Sequence, residues 1–163
     1  MSTFSTDVVD AAATGRSIRE GVPAMPTLSP YLSFRDNART AMEFYSTVFG
    51  GELTLTTFGE GLATDDPSEK NLIMHGQLTT PSGFTLMGAD TPSSMEHTPG
   101  NTMSVSLFGT EHEELTGYWN ALAVDAQFTM GLDAAPWGDI FGMLTDKFGV
   151  QWMVNISGSV AES

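Results

Sequence analysis

Apolar and polar positions along the chain follow two periods that succeed one another twice. Leu28 to Phe34 places apolar side chains at alternate positions and predicts a strand. Asn37 then opens a helix in which Ala38, Ala41, Met42, Tyr45, Val48 and Phe49 form one stripe, and Gly50-Gly51 ends it. Strands are predicted near Glu52 to Phe58, Leu72 to Thr80 and Phe84 to Ala89, with Pro81-Ser82-Gly83 turning between the last two. The order is β, α, β, β, β.

The second half repeats that order: a strand from Thr102 to Phe108, a helix from Glu111 to Ala123, then strands near Gln127 to Gly131, Phe141 to Thr145 and Val150 to Ile156. A shift of 73 residues lays Ser33 on Ser106, Phe34 on Leu107, Met42 on Leu115, Tyr45 on Tyr118 and Phe49 on Leu122. Beyond a longer loop in the first copy the shift becomes 66, and Gly76, Leu78, Thr79, Gly83 and Met87 meet identical residues. A tandem duplication accounts for the pattern. Two βαβββ modules with amphipathic helices must bury the helix faces against their sheets. This predicts an α+β fold of curved mixed sheet with a cupped pocket, and the cup is where function is sought.

Charge and composition narrow the function classes. The 163 residues match one domain. Residues 1–26 lack periodicity, apart from a short helix expected around Val8 to Ala13, and read as a poorly ordered extension. The duplicated domain is expected over 27–157, with modules at about 27–91 and 100–157, and 158–163 form a tail. Twenty acidic against six basic residues give a formal charge of -14, which repels phosphate backbones and anionic membranes. Neither nucleic acid nor membrane is an expected partner. The absence of cysteine excludes disulfides and thiolate chemistry. No apolar run approaches the ~20 residues of a bilayer span, and no signal peptide is read, so a cytoplasmic location is expected.

Several stretches carry a family resemblance: Pro30-Tyr31-Leu32-Ser33-Phe34 before a helix containing Phe44-Tyr45, Trp137-Gly138-Asp139-Ile140-Phe141-Gly142, and Thr145 through Asn155. With the duplicated module order they resemble the PhnB-like branch of the vicinal oxygen chelate (glyoxalase, bleomycin resistance and dioxygenase) superfamily. Ile140 departs from the arginine expected there. The resemblance implies paired modules, a cupped site and homodimerisation. In metal-using relatives the first and last strands of each module supply ligands. The resemblance puts those positions at Ser29 or Pro30, Thr102 or Met103, Met87 and Met153, a set of thioethers and hydroxyls that would hold a divalent ion poorly. No cofactor is therefore expected, with a divalent metal as the alternative.

Of three histidines, His97 and His112 read as solvated, while His75 lies between apolar strand residues and is a candidate for ligand contact or acid–base work, against a hydrogen-bonded structural role. Strand alternation puts Gln77 on the same face as His75. Tyr31, Trp137, Phe141, Met87 and Met153 would add aromatic and thioether wall. Asp139 either orients a ligand or accepts backbone hydrogen bonds at a strand start. Asp146-Lys147 reads as an ordinary turn with no chemistry, and Trp152 as core. No strand runs into the glycine-rich turn that a nucleotide-like methyl donor needs, and no Gly-x-Ser-x-Gly elbow is present. The expectation is a metal-independent protein binding an apolar or aromatic small molecule. The alternative is a lyase or isomerase of the same superfamily using His75 as base.

Overall fold

The computed structural model describes residues 26–158. The expected helix near Val8 to Ala13, nearly all of the N-terminal extension and most of the tail lie outside them. The elements are β1 (Tyr31–Phe34), α1 (Ala38–Phe49), β2 (Glu52–Thr57), β3 (Ile73–Thr79), β4 (Thr85–Asp90), β5 (Val105–Gly109), α2 (His112–Leu122), β6 (Gln127–Ala134), β7 (Ile140–Thr145) and β8 (Gln151–Ile156). They form two four-stranded mixed sheets of identical topology, β1-β4-β3-β2 and β5-β8-β7-β6. The first strand of each module pairs in parallel with the last, and the other pairings are antiparallel.

The strands that open each module are shorter than the alternation suggested. β1 begins only after Pro30, which has no N–H to give a ladder and instead offers its carbonyl to Met87 N at 3.1 Å. β6 runs longer than expected, to Ala134, through two irregularities near Met130.

Each helix lies on one face of its own sheet. The expected α1 stripe is buried at Ala38, Ala41, Met42, Tyr45 and Phe49, and Val48 packs beside it. The helix stops where Gly50 and Gly51 take φ of 70° and 98°, and a Cβ on Gly51 would lie 2.1 Å from Thr79 O. Gly76 and Gly142, equivalent in the two copies, let the helices approach the sheets. A Cβ on Gly142 would meet the Trp119 ring of α2 at 2.7 Å, and one on Gly76 would meet Met42 of α1 at 3.3 Å. Asn37 makes no side-chain cap. The start of α1 is capped from β4 instead, by buried Asp90, which accepts Ala38 N at 2.9 Å and Ile73 N at 2.8 Å.

The modules meet through helices and hairpins; no strand of one sheet pairs with a strand of the other. Tyr45 of α1 donates to Asp146 in the β7–β8 turn at 2.6 Å. Asp146 also accepts Trp152 Nε1 at 2.8 Å, Phe148 N at 2.9 Å and Val150 N at 3.0 Å. Asp146 does form the turn, as expected, but it is not an ordinary turn residue. It is a buried carboxylate satisfied by four donors, and one of them comes from the other module. Lys147 lies over the Phe44 ring, 4.4 Å from its centroid, rather than pairing with Asp146.

The sequence superposition fails in one respect. Tyr31 stands opposite Met87, while Ser106 stands opposite the equivalent Met153. β5 has therefore slid two residues along β8 relative to β1 on β4. A two-residue slide keeps every side chain on its face, so periodicity does not register it.

Candidate functional site

In each sheet one face is covered by a helix and the other is open. On the first, alternation turns Tyr31, Met87, Gln77 and Thr54 outward in one row across the strands, with His75 and Thr56 in the next. Tyr31 is half exposed, and His75, Gln77 and Met87 are partly buried. The Tyr31 hydroxyl lies 3.0 Å from His75 Nδ1, and the rings are 5.7 Å apart and tilted. Burial pushes the Tyr31 phenol above its ordinary pKa, so it stays protonated near neutrality. The bond fixes the imidazole orientation and leaves Nε2 as the ring nitrogen for a ligand.

On the second sheet the outward rows are Ser106, Met153, Met143 and Met130, then Phe108, Asn155, Phe141 and Asp133. Trp137, 61% exposed, meets Phe141 edge to face at 5.4 Å. Asp139 accepts Asn155 Nδ2 at 2.9 Å and Ser157 Oγ at 3.3 Å, so side chains rather than backbone amides hold its carboxylate. Its own carbonyl accepts Ala135 N at 2.7 Å, closing the loop that carries Trp137.

The predicted residues therefore form two groups. Tyr31, His75, Gln77 and Met87 share one open face; Phe141 and Met153 share the other, with Trp137 and Asp139 at its edge. No hydrogen bond or ring contact joins the groups among the described residues. Phe108, Met130 and Met143 belong to the second face as well, and the alternation through Ser106, Phe141 and Met153 is the signal that finds them. Trp152 is core, as expected. His97 is not simply solvated: its Nε2 bonds Ser33 O at 3.1 Å.

The residues beside Met87 and Met153 on the first strands are Tyr31 and Ser106, not Ser29 or Pro30 and Thr102 or Met103. The two-residue slide of β5 and the late start of β1 account for the difference. The donor set is then a phenol, a hydroxyl and two thioethers, which does not fit a divalent ion that wants imidazole or carboxylate. Among the described residues no three His, Asp or Glu side chains gather as a metal site. No helix among them is long and apolar enough to cross a membrane.

A cavity of about 580 Å³ lies at the seam between the modules and borders the second open face, whose Ser106 and Phe108 are among its lining residues. Phe84, Leu86, Leu107 and Trp152 give it apolar walls, and Glu111 and Glu114 are its ionisable carboxylates. None of the predicted ligand residues lines it.

Residues 26–155 match the family model described as 3-demethylubiquinone-9 3-methyltransferase. The chain is 31% identical over 140 residues to protein YjdN of Escherichia coli K12, covering 79% of this chain and 94% of that one. Among solved structures it resembles protein PA1353 of Pseudomonas aeruginosa, with 35% identity, a TM-score of 0.71, and 81% and 98% of the two chains covered. It also resembles a PhnB protein of Bacillus cereus described as a putative 3-demethylubiquinone-9 3-methyltransferase, with 26% identity, a TM-score of 0.64, and coverage of 81% and 100%. More distant glyoxalase/bleomycin resistance/dioxygenase superfamily proteins share the fold.

Proposed function

The chain belongs to the PhnB-like family of the glyoxalase/bleomycin resistance type, and from that premise we propose that it is a cytoplasmic, metal-independent binding protein for an apolar or aromatic small molecule. The observation that carries the reading is the chemistry of the open faces. Aromatic rings and thioethers at Tyr31, Met87, Phe141, Met143 and Met153 supply flat, adaptable contact, while His75 and Gln77 supply the few polar groups that orient a ligand. Each face is half of a cup, and a second copy of the chain, bringing a module of the other kind, completes it as a homodimer. Methyl transfer is not supported, since no strand leads into a glycine-rich turn able to cradle a nucleotide-like donor.

The Tyr31–His75 pair favours a second reading, a lyase or isomerase in which His75 Nε2 takes the proton and Gln77 orients the substrate. Asp139 lies on the other sheet, so a second copy would have to bring it to His75.

The test uses quinoline as a planar probe. Trp119 and Trp152 are buried and Trp137 is exposed, so saturable fluorescence quenching that is lost in Trp137→Phe would report occupancy of the second face. Binding predicts a rise in melting temperature that grows with quinoline and persists in His75→Ala. Absence of any quinoline response, or a dimer-free elution profile by light scattering, would overturn this reading. Titration with Zn, Ni, Mn and Fe checks the metal independence, and tight stoichiometric binding would bring the enzyme reading forward.

A further inference from the structure

We propose that the seam cavity, which shares Ser106 and Phe108 with the second open face but none of the candidate ligand residues, is a second binding site that takes a hydrophobic organic amine in its protonated form. The first argument is that the cavity arises from a difference between the copies. Where α1 meets the β7–β8 hairpin, Phe44 packs on Phe148 at 5.5 Å and Tyr45 on Trp152 at 5.6 Å, filling the seam with rings. At the equivalent seam, between α2 and the β3–β4 hairpin, the corresponding positions are Gly117 for Phe44, Ser82 for Phe148 and Leu86 for Trp152. Ser82 and Leu86, the smaller counterparts of Phe148 and Trp152, line a cavity of about 580 Å³, within the range that holds a drug-sized ligand.

The second argument is chemical. The walls are apolar and aromatic, at Phe84, Leu86, Leu107 and Trp152, whereas the charged side chains among the lining residues are both carboxylates, Glu111 and Glu114. Glu114 is pre-positioned: it accepts Tyr118 Oη and, at 3.0 Å, Ser82 Oγ. Those donors hold its carboxyl below the usual range, so it stays ionised through neutrality. No Lys or Arg lines the cavity to neutralise it. A net charge of -14 raises the local concentration of cations around the whole molecule. An apolar body with one ammonium group satisfies both walls and carboxylates. A neutral body leaves the charge unused, and an anion is repelled.

The experiment is calorimetric titration of the full chain with 1-naphthylmethylamine, 1-naphthylmethanol and 1-naphthoate at low ionic strength. The amine is expected to bind about tenfold or more tightly than the alcohol, with no detectable naphthoate binding. Glu111→Gln with Glu114→Gln should abolish the preference for amine over alcohol. Ser82→Phe, which restores the ring found at the other seam, should remove the amine-selective binding and leave only the binding that amine and alcohol share at the open faces, while far-ultraviolet circular dichroism stays native. His75→Ala and Trp137→Phe should leave amine binding unchanged, which distinguishes this site from the open faces. Equal affinity for amine and alcohol, a preference that survives the double Gln variant, or amine binding lost in His75→Ala would each overturn the proposal.

Discussion

Tyr45→Phe removes one oxygen from the seam and leaves the ring. Tyr45 is fully buried and its hydroxyl donates to Asp146 at 2.6 Å. A hydrogen bond to a charged partner contributes about 1.5–3 kcal/mol net, and the substitution leaves Asp146 with three of its four donors. The expected loss is therefore about 1.5–3 kcal/mol in urea unfolding at pH 7.5, or roughly 5–10 °C in melting temperature for a domain of this size. A pH signature reports that the buried phenol is held un-ionised. Burial first, and the Asp146 carboxylate second, raise the Tyr45 pKa far above its ordinary 10.0. An acid whose folded pKa is raised contributes stability below the unfolded pKa, and that stability falls as pH rises past it. Above pH 10 the unfolded phenol ionises while the folded one does not, so wild type loses about 1.4 kcal/mol by pH 11 from this group alone. The Tyr45→Phe variant lacks the ionisable group, and the gap between the two proteins should narrow by that amount between pH 8 and pH 11. A difference below about 0.5 kcal/mol at pH 7.5, or a gap of constant width, would refute the clamp.

Two further perturbations test how the modules are built. Asp90→Ala strips the acceptor from Ala38 N and Ile73 N. Leaving two buried amides unpaired should cost about 2–4 kcal/mol, measured by urea unfolding, with Asp90→Asn recovering part of it. In Gly142→Ala the new methyl meets the Trp119 ring at 2.7 Å and the Leu132 backbone at 3.0 Å. Overpacking there should destabilise by about 1–3 kcal/mol, whereas Gly117→Ala, whose Cβ would have nothing within 4 Å, should be neutral or stabilising.

Local periodicity made the modules legible. The α1 stripe, the repeat of Gly76 at Gly142 and the alternation through His75 and Gln77 are near-neighbour patterns, and each reflects one helix face or one pleat. What escaped depended on partners far away in the chain. Asp146 looks like any turn aspartate until Tyr45 arrives from 101 residues away. Asp90 ends a strand, and nothing near it announces that it caps a helix 52 residues earlier. The slide of β5 preserves every face and so leaves no trace in an alternating pattern. The cup was read as one pocket because a duplicated module suggests a shared concavity, but inter-module packing is set by helix and hairpin contacts. The alternation assigns side chains to faces and says nothing about which faces meet.

Divergence between the copies bears on what the open faces would hold. At equivalent positions the first face has His75 and Gln77 where the second has Phe141 and Met143. If a second copy sets one kind of face against the other, a planar ligand between them meets hydrogen-bonding groups on one side and rings and thioethers on the other. Such a site should prefer a ring with a polar atom over its hydrocarbon analogue. Quinoline and naphthalene have nearly the same shape and differ in one ring nitrogen, so their affinities compare the walls directly. A neutral hydrogen bond contributes about 0.5–1.5 kcal/mol, so quinoline should bind roughly two- to tenfold more tightly. Gln77→Ala together with His75→Ala should erase that difference while leaving naphthalene affinity unchanged, and Phe141→Ala should weaken both ligands. If the two probes bind equally to wild type, or if Phe141→Ala affects neither, the two walls do not face a common ligand.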